Sequence, residues 1–356
     1  MLPVSIITGF LGSGKTTLLN RMLSNASLKG SLVIINEFGE IGIDHLLVSA
    51  PSENVRLLSN GCLCCEVRGD LVETLTDVTR KRINNEIFSF DRILIETTGL
   101  ADPVPLIRTI VTDPALSQLY FLDKVITVVD TVHAVSQIAM QDEVRKQISM
   151  ADILLLSKTD LVNSDLALEV KDSLEVLNPG ADQINVINGE IEHGLLFEQN
   201  SPNSQRRKVN IDRWISFREK PSSSVNPRTI SHTADIKTFT ISFAEPVSGN
   251  GLATWLNMLA SFKGPQLLRV KGIVNVNGAP YVIHAVQTVI HDPVLLDAWP
   301  TPDKITRIVF IVRDLDRETI ESTFSAIKIP MIETQKAQFI DPVAYKRFAE
   351  VAKRFI

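Results

Sequence analysis

Between Val4 and Leu23 an apolar strand, a glycine-studded loop and a helix follow one another without a break. The strand reads Val4-Ser5-Ile6-Ile7-Thr8, and the loop Gly9-Phe10-Leu11-Gly12-Ser13-Gly14-Lys15-Thr16, spaced as G-x-x-x-x-G-K-T. The helical pattern continues from Thr17 through Leu18 and Leu19. Glycines at 9, 12 and 14 let successive backbone N–H groups curl around phosphate oxygens, and the helix N-terminus adds its dipole. Ser13 and Thr17 complete that cradle. Lys15 is expected to reach the β- and γ-phosphates, and the Thr16 hydroxyl to ligate Mg²⁺. A strand that feeds a helix regains a parallel neighbour only through a crossover. The pattern therefore commits this part of the chain to an α/β fold, an open sheet with helices on both faces.

The runs that follow fit that commitment. Leu32 to Ile35, Val55 to Leu58, Arg92 to Glu96, Lys124 to Asp130, Asp152 to Leu156 and Gln183 to Ile187 read as short buried strands, with a helix over 70–82. In Ile93-Leu94-Ile95-Glu96 an acid ends an aliphatic strand. That is the Walker-B position, facing the phosphate loop across the C-terminal edge of the sheet. Glu96 either holds Mg²⁺ through water or orients the attacking water, and Glu37 is a second candidate for the water. Gly99 is expected to bring its N–H toward the γ-phosphate. Glu37, Glu40 and Asp44 sit in one acidic, glycine-containing loop, which serves a metal or water or is simply solvated. No arginine finger is evident, so intrinsic hydrolysis should be slow.

Ser157-Lys158-Thr159-Asp160 follows a strand and has the form of a guanine-reading signature. The Asp160 carboxylate, an acceptor only, matches the two N–H donors on guanine's Watson–Crick edge, and the Lys158 stem lies along the base plane. Serine stands at 157 where asparagine is commoner, which predicts one weaker base contact. The alternative is a helix N-cap at Ser157 or Asp160, since a helical stretch begins near Ser164.

With 356 residues the chain is too long for one typical core. Serine, proline and arginine–lysine clusters over 198–233 read as a linker between a nucleotide-binding domain at 1–197 and a small α+β domain at 234–356. In the latter, strands are expected at 238–243, 267–276, 281–286 and 307–312, with a hairpin turn at Asn277-Gly278 and helices over 252–261 and from Asp316. A net charge of −5 argues against a nucleic-acid binder. No apolar run approaches membrane length. Without a basic, apolar leader at its start the protein is expected in the cytoplasm. Oligomeric state is not readable, and a homodimer is left open.

All three cysteines fall in Cys62-Leu63-Cys64-Cys65. Cysteine used as a small buried hydrophobe would be scattered. Three adjacent thiols can act together on one soft metal ion, or as a redox pair with a spare thiol. An odd, crowded set does not make a disulfide framework.

Taken in order, Gly9 to Thr16, Gly61-Cys62-Leu63-Cys64-Cys65, Ile93 to Gly99 and Ser157 to Asp160 resemble the CobW-type metal-chaperone P-loop GTPases. Asn36-Glu37-Phe38-Gly39-Glu40, Glu96 to Pro103 and Leu268-Arg269-Val270-Lys271-Gly272 match that family as well. The resemblance implies GTP hydrolysis, Zn²⁺ or Co²⁺ at the thiols, and delivery of the metal to a client metalloprotein. It implies Cys64 as the first ligand, Cys62 and Cys65 beside it, and Glu40 as an oxygen ligand. Ile35 stands where some relatives carry an additional acid. A zinc-sensing or client-binding module, in which hydrolysis is incidental, is the alternative.

Overall fold

The computed structural model describes residues 1–24, 30–36, 55–58, 67–191, 196 and 236–326. The N-terminal unit runs β1 (Leu2–Gly9), α1 (Lys15–Ser24), β2 (Ser31–Asn36), β3 (Val55–Leu58), α2 (Val67–Ile83), β4 (Arg92–Glu96), α3 (Val104–Thr112), α4 (Leu116–Leu119) and β5 (Tyr120–Asp130). It continues with α5 (Ala134–Met140), α6 (Asp142–Met150), β6 (Ile153–Ser157), α7 (Ser164–Leu177) and β7 (Asp182–Val186). The seven strands form one sheet in the order β3-β2-β4-β1-β5-β6-β7, every pair parallel.

Both faces of this sheet are covered, which is why its strands read as unbroken aliphatic runs. Successive side chains point to opposite faces. Val4 and Ile6 pack toward α2 and α3 with Leu71, Leu75 and Ile107. Ile7, Val33 and Leu94 pack toward α1 with Leu18, Leu19 and Met22. Each such aliphatic side chain, buried fully, contributes about 1.5–3 kcal/mol. The register aligns the strand ends: Glu96 lies opposite both Ile7 and Ile35, Asn36 opposite Leu58, and Asp130 opposite Ser157. The phosphate loop, Asn36, Leu58, Glu96, Asp130 and Ser157 thus share the C-terminal edge.

The C-terminal unit comprises β8 (Ile236–Phe243), α8 (Gly249–Lys263), β9 (Leu267–Val276), β10 (Ala279–Val286), β11 (Val289–Ile290), β12 (Val294–Leu295), β13 (Thr306–Arg313) and α9 (Arg317–Ser322). Its antiparallel sheet has the order β11-β10-β9-β13-β8, with β12 against β10. Trp255 of α8 packs edge-on against Phe310 of β13, which stacks on Phe239 of β8. Ser248 caps α8, accepting from the Gly251 amide at 3.0 Å. Asn277 and Gly278 have φ of 53° and 92°, the positive pair a tight hairpin needs. Two-residue strands such as β11 and β12 carry too little periodicity to be read from sequence.

The units meet at the opposite, N-terminal edge of the parallel sheet. Leu268, Val286, Val289 and Ile311 join the apolar cluster under α3. Arg269, 1% exposed, donates to the Met150 carbonyl and pairs with the Asp152 carboxylate. Lys271 Nζ lies 3.5 Å from the same carboxylate and donates to the Gly180 carbonyl at 3.0 Å. Burial opposes the charge on Asp152, yet Arg269 and Lys271 hold it well below the usual carboxylate range. Burial and the neighbouring guanidinium bring Lys271 down to about 8. Beside them His284 and His291 stack with ring centroids 4.6 Å apart and planes 8° from parallel. Burial, then Arg269, push His284 well below the imidazole range, so the pair is neutral at pH 7. Among the described residues no helix is long and apolar enough to cross a membrane.

Candidate functional site

The phosphate loop joins the end of β1 to the start of α1. Gly9, Gly12 and Gly14 have φ of 146°, 73° and 96°, backbone that side chains rarely adopt. A Cβ at Gly9 would stand 2.4 Å from the Val128 carbonyl oxygen. Glycine there lets the loop lie on β5. Lys15, 8% exposed, donates to the Gly9 carbonyl at 2.8 Å and the Phe10 carbonyl at 3.1 Å. Its ammonium therefore lies against the loop's own backbone. Thr16 is half-buried and Thr17 exposed on the first turn of α1.

Glu96 ends β4 with 7% exposure. The next residue ties the two strands: the Thr97 amide donates to the Ile7 carbonyl at 2.9 Å, and its hydroxyl to Thr8 Oγ1 at 2.8 Å. A Cβ on Gly99 would come within 2.6–2.9 Å of Leu11. The close approach that Gly99 permits is thus to the phosphate loop itself. Ser13 Oγ and Thr98 Oγ1 are buried without a hydrogen-bond partner among the described residues. Buried hydroxyls are normally satisfied. Two left over beside a glycine cradle, a lysine, a threonine hydroxyl and a carboxylate fit a phosphate group with a hydrated Mg²⁺.

The residues at the end of β6 and after it make contacts that their sequence did not indicate. Ser157 Oγ donates to the Ser13 carbonyl at 2.7 Å and lies 3.1 Å from the Val129 carbonyl. Serine at this position braces the phosphate loop against β5 and β6. Lys158, with φ of 58°, donates to the Gly12 carbonyl at 2.8 Å and to Asp130 Oδ2 at 2.6 Å. Asp160 stands exposed. The cap of α7 is Asn163, whose side chain accepts from the Leu166 amide at 2.9 Å. Neither Ser157 nor Asp160 serves as that cap.

Two residues belong to this neighbourhood that sequence reasoning passed over. Asp130 also accepts from the Val132 amide at 3.0 Å and sits 3.1 Å from His133 Nδ1. Burial raises its pKa, but Lys158 and His133 outweigh burial and hold the carboxyl below its ordinary value. Its signal was present, since it ends an aliphatic strand as Glu96 does. Gln147, buried on α6, donates to the Gly99 and Ala101 carbonyls. A glutamine in a helix has no local signature that marks such a role.

Glu37, Glu40, Asp44, Cys62, Cys64 and Cys65 lie outside the described residues. Their flanks do not: Asn36 ends β2 and Leu58 ends β3, paired on the edge that carries Glu96. Among the described residues no three His, Cys, Asp or Glu side chains gather as a metal-holding group.

The geometry agrees with the comparisons. Residues 3–185 match the CobW/HypB/UreG nucleotide-binding domain, and residues 236–328 the cobalamin synthesis protein cobW C-terminal domain. The chain is 31% identical to the zinc chaperone YjiA of Escherichia coli, over 92% of this chain and 99% of that protein. It is 29% identical to the zinc chaperone CobW of a Sinorhizobium species, over 92% and 97% of the two chains. The crystal structure of Zn(II)-bound YjiA GTPase superposes with a TM-score of 0.63 at 26% identity, covering 92% of this chain and 98% of that one. The likeness in sequence and fold thus runs along nearly the whole length, and the chain belongs to the CobW/HypB/UreG family.

Proposed function

We propose that this protein hydrolyses GTP to GDP and phosphate. It uses the nucleotide to set the affinity of a zinc site built from Cys62, Cys64, Cys65 and Glu40, and it hands the metal to a client metalloprotein. One observation carries the coupling: the register brings the phosphate loop, Glu96 and the ends of β2 and β3 to a single edge. The segments bearing Glu37, Glu40 and the three cysteines leave the sheet from those two ends. The names of the relatives support zinc as the cargo, with cobalt as the second candidate for a thiolate-rich site.

In this reading the loop amides and Lys15 bind the phosphates and offset the charge that grows on them during transfer. Thr16 and Glu96 would hold Mg²⁺, Glu96 through water; the metal supplies further neutralisation of the β- and γ-oxygens. Glu96 or Glu37 orients the attacking water. Asp160 reads the base, and Lys158, held between Gly12 and Asp130, backs it. Contacts to the γ-phosphate would order the segments after β2 and β4, as in other switch GTPases. Moving the zinc site from mostly open to mostly closed needs a nucleotide preference of ~5 kcal/mol. Linkage then requires that zinc tighten GTP binding by the same factor.

The test is a zinc titration of the reduced protein with a non-hydrolysable GTP analogue, with GDP and without nucleotide, repeated on Cys64→Ala. Zinc affinity should rise with the analogue and collapse in the variant. Equal affinity in all three nucleotide conditions would sink the coupling.

A further inference from the structure

Helix α6 makes contacts in two directions. Gln147 on this helix is 1% exposed, and its side-chain amide donates to the Gly99 carbonyl at 3.2 Å and the Ala101 carbonyl at 3.0 Å. A polar side chain so buried persists only when its donors are matched. Here they are matched by the turn that follows Glu96 and presses on Leu11 of the phosphate loop. The preceding residue, Lys146, pairs with Asp102 at the end of the same turn. The Gln147 backbone carbonyl accepts from Thr127 Oγ1 at 2.9 Å, which anchors the helix to β5.

Three residues later, the Met150 carbonyl accepts from Arg269 of the C-terminal unit. Three residues are less than one helical turn, about 4.5 Å of rise. Asn178 Nδ2 holds the adjacent carbonyls of Ile148 at 2.7 Å and Ala151 at 2.9 Å. The last turn of α6 is therefore held by Arg269 from the C-terminal unit and by Asn178 from its own unit, while the same turn holds the segment beside the phosphates. Val144, Ile148, Ser149 and Met150 are buried, so this end of the helix is packed as one unit and strain at Met150 is transmitted to Gln147.

We propose that α6 couples the docking of the C-terminal domain to the Gly99–Asp102 turn, with Gln147 as a positioning residue for hydrolysis. The hydrolytic half rests on the GTPase reading above. A client that engages the C-terminal domain would displace Arg269, move α6 and change turnover. By linkage the nucleotide would alter how firmly that domain docks. The Leu268-to-Gly272 motif thereby gains a role, with Arg269 as its working residue.

The experiment is hydrogen exchange over residues 97–103 in the full-length chain, with and without a GTP analogue, alongside steady-state turnover. Gln147→Met should raise exchange in that segment and lower kcat roughly tenfold, with KM for GTP within about twofold. Arg269→Met should raise exchange over 97–103 although it touches none of those residues. The double variant should add little to the larger single effect. If Arg269→Met does not fold, Arg269→Lys keeps the charge and shortens the reach to Met150. Unchanged exchange over 97–103 in the Arg269 variants would overturn the coupling. So would a Gln147→Met variant whose only defect is a raised KM. Absence of turnover in the wild type would instead refute the GTPase reading, and the exchange comparison would still decide whether α6 couples the two units.

Discussion

The two edges of the parallel sheet carry similar residues under opposite conditions. At the C-terminal edge Lys158 pairs with Asp130 and Lys15 lies against loop carbonyls. These cations stay near solvent or a backbone cradle, where an incoming phosphate can take over as partner. At the N-terminal edge Arg269 and Lys271 converge on Asp152 between two domains. There the charges pair with one another and with nearby carbonyls, and Arg269 Nε alone of that guanidinium is left without a hydrogen-bond partner among the described residues. Chemistry needs cations whose partners are exchangeable, and domain docking needs the reverse. What the cation faces, rather than burial or residue type, separates the two roles: Lys15 is buried yet lies against loop carbonyls, whereas Arg269 and Lys271 converge on a carboxylate between two domains.

The largest effects should come from opening that contrast on the phosphate-loop side. Lys15→Ala should lower single-turnover GTP hydrolysis by about 10²-fold or more, with thermal unfolding little changed. Undiminished turnover would refute the role assigned to Lys15. On the docking side, Asp152→Ala leaves Arg269 and Lys271 buried without their carboxylate and should cost about 3–5 kcal/mol in chemical denaturation. Asp152→Ala combined with Arg269→Met should recover part of that loss, because the uncompensated guanidinium is then gone. A double variant no better than the single would show that packing, not charge, dominates the interface.

A smaller effect is expected at Asp130. Asp130→Asn keeps the shape but removes the charge that holds Lys158 beneath the phosphate loop. A charge-assisted hydrogen bond contributes about 1.5–3 kcal/mol, so GTP affinity should fall roughly tenfold in a fluorescent-nucleotide titration. Overall stability should fall as well, by no more than about that 1.5–3 kcal/mol, since Asp130 is buried and also accepts from the Val132 amide. Equal affinity would reduce Asp130 to a cap of its own turn.

The smallest effect is one of pH. His284 and His291 have folded pKa values pushed below 6.5 by burial, and the cations Arg269 and Lys271 add to that at His284. Asp152 pulls both the other way, as does Asp292 for His291. Above about pH 6.5 both states carry neutral imidazoles and the pair has no pH dependence. As pH falls through 6.5 the unfolded chain takes up protons that the folded pair refuses, so stability declines toward the folded pKa values. Asp152 keeps its charge throughout this window, since its own pKa is depressed. Melting temperature should therefore drop between pH 7.5 and 5.5, and a His284→Gln, His291→Gln double variant should flatten the curve. The same slope in that variant would place the titration elsewhere.

Much of the phosphate-loop edge was legible in the residues. Gly9 to Thr16, Glu96 and Ser157 to Asp160 are local patterns: a left-handed backbone, a helix start and an acid at a strand end each leave a mark within a few positions. The thiol run at 62–65 is legible in the same local way. The docking edge was not readable by such means. Arg269 and Asp152 are 117 residues apart, and nothing in Leu268-Arg269-Val270-Lys271-Gly272 says which surface it will face. His284 and His291 carry no mark in the sequence that pairs them, and only the register of β10 with β11 stacks them.

By itself, then, the sequence determined the kind of sheet, the presence of a phosphate cradle and the acid that faces it, because these depend on short-range backbone geometry and periodicity. Tertiary structure alone decided the strand order, Ser157 as a brace for the loop, Asp130 as the keeper of Lys158, and the hold of Gln147 on the Gly99–Ala101 turn and of Arg269 on α6. Each of those is a contact between groups far apart along the chain. Its energy depends on burial and on the matching of donors to acceptors, and neither exists until the layers have packed.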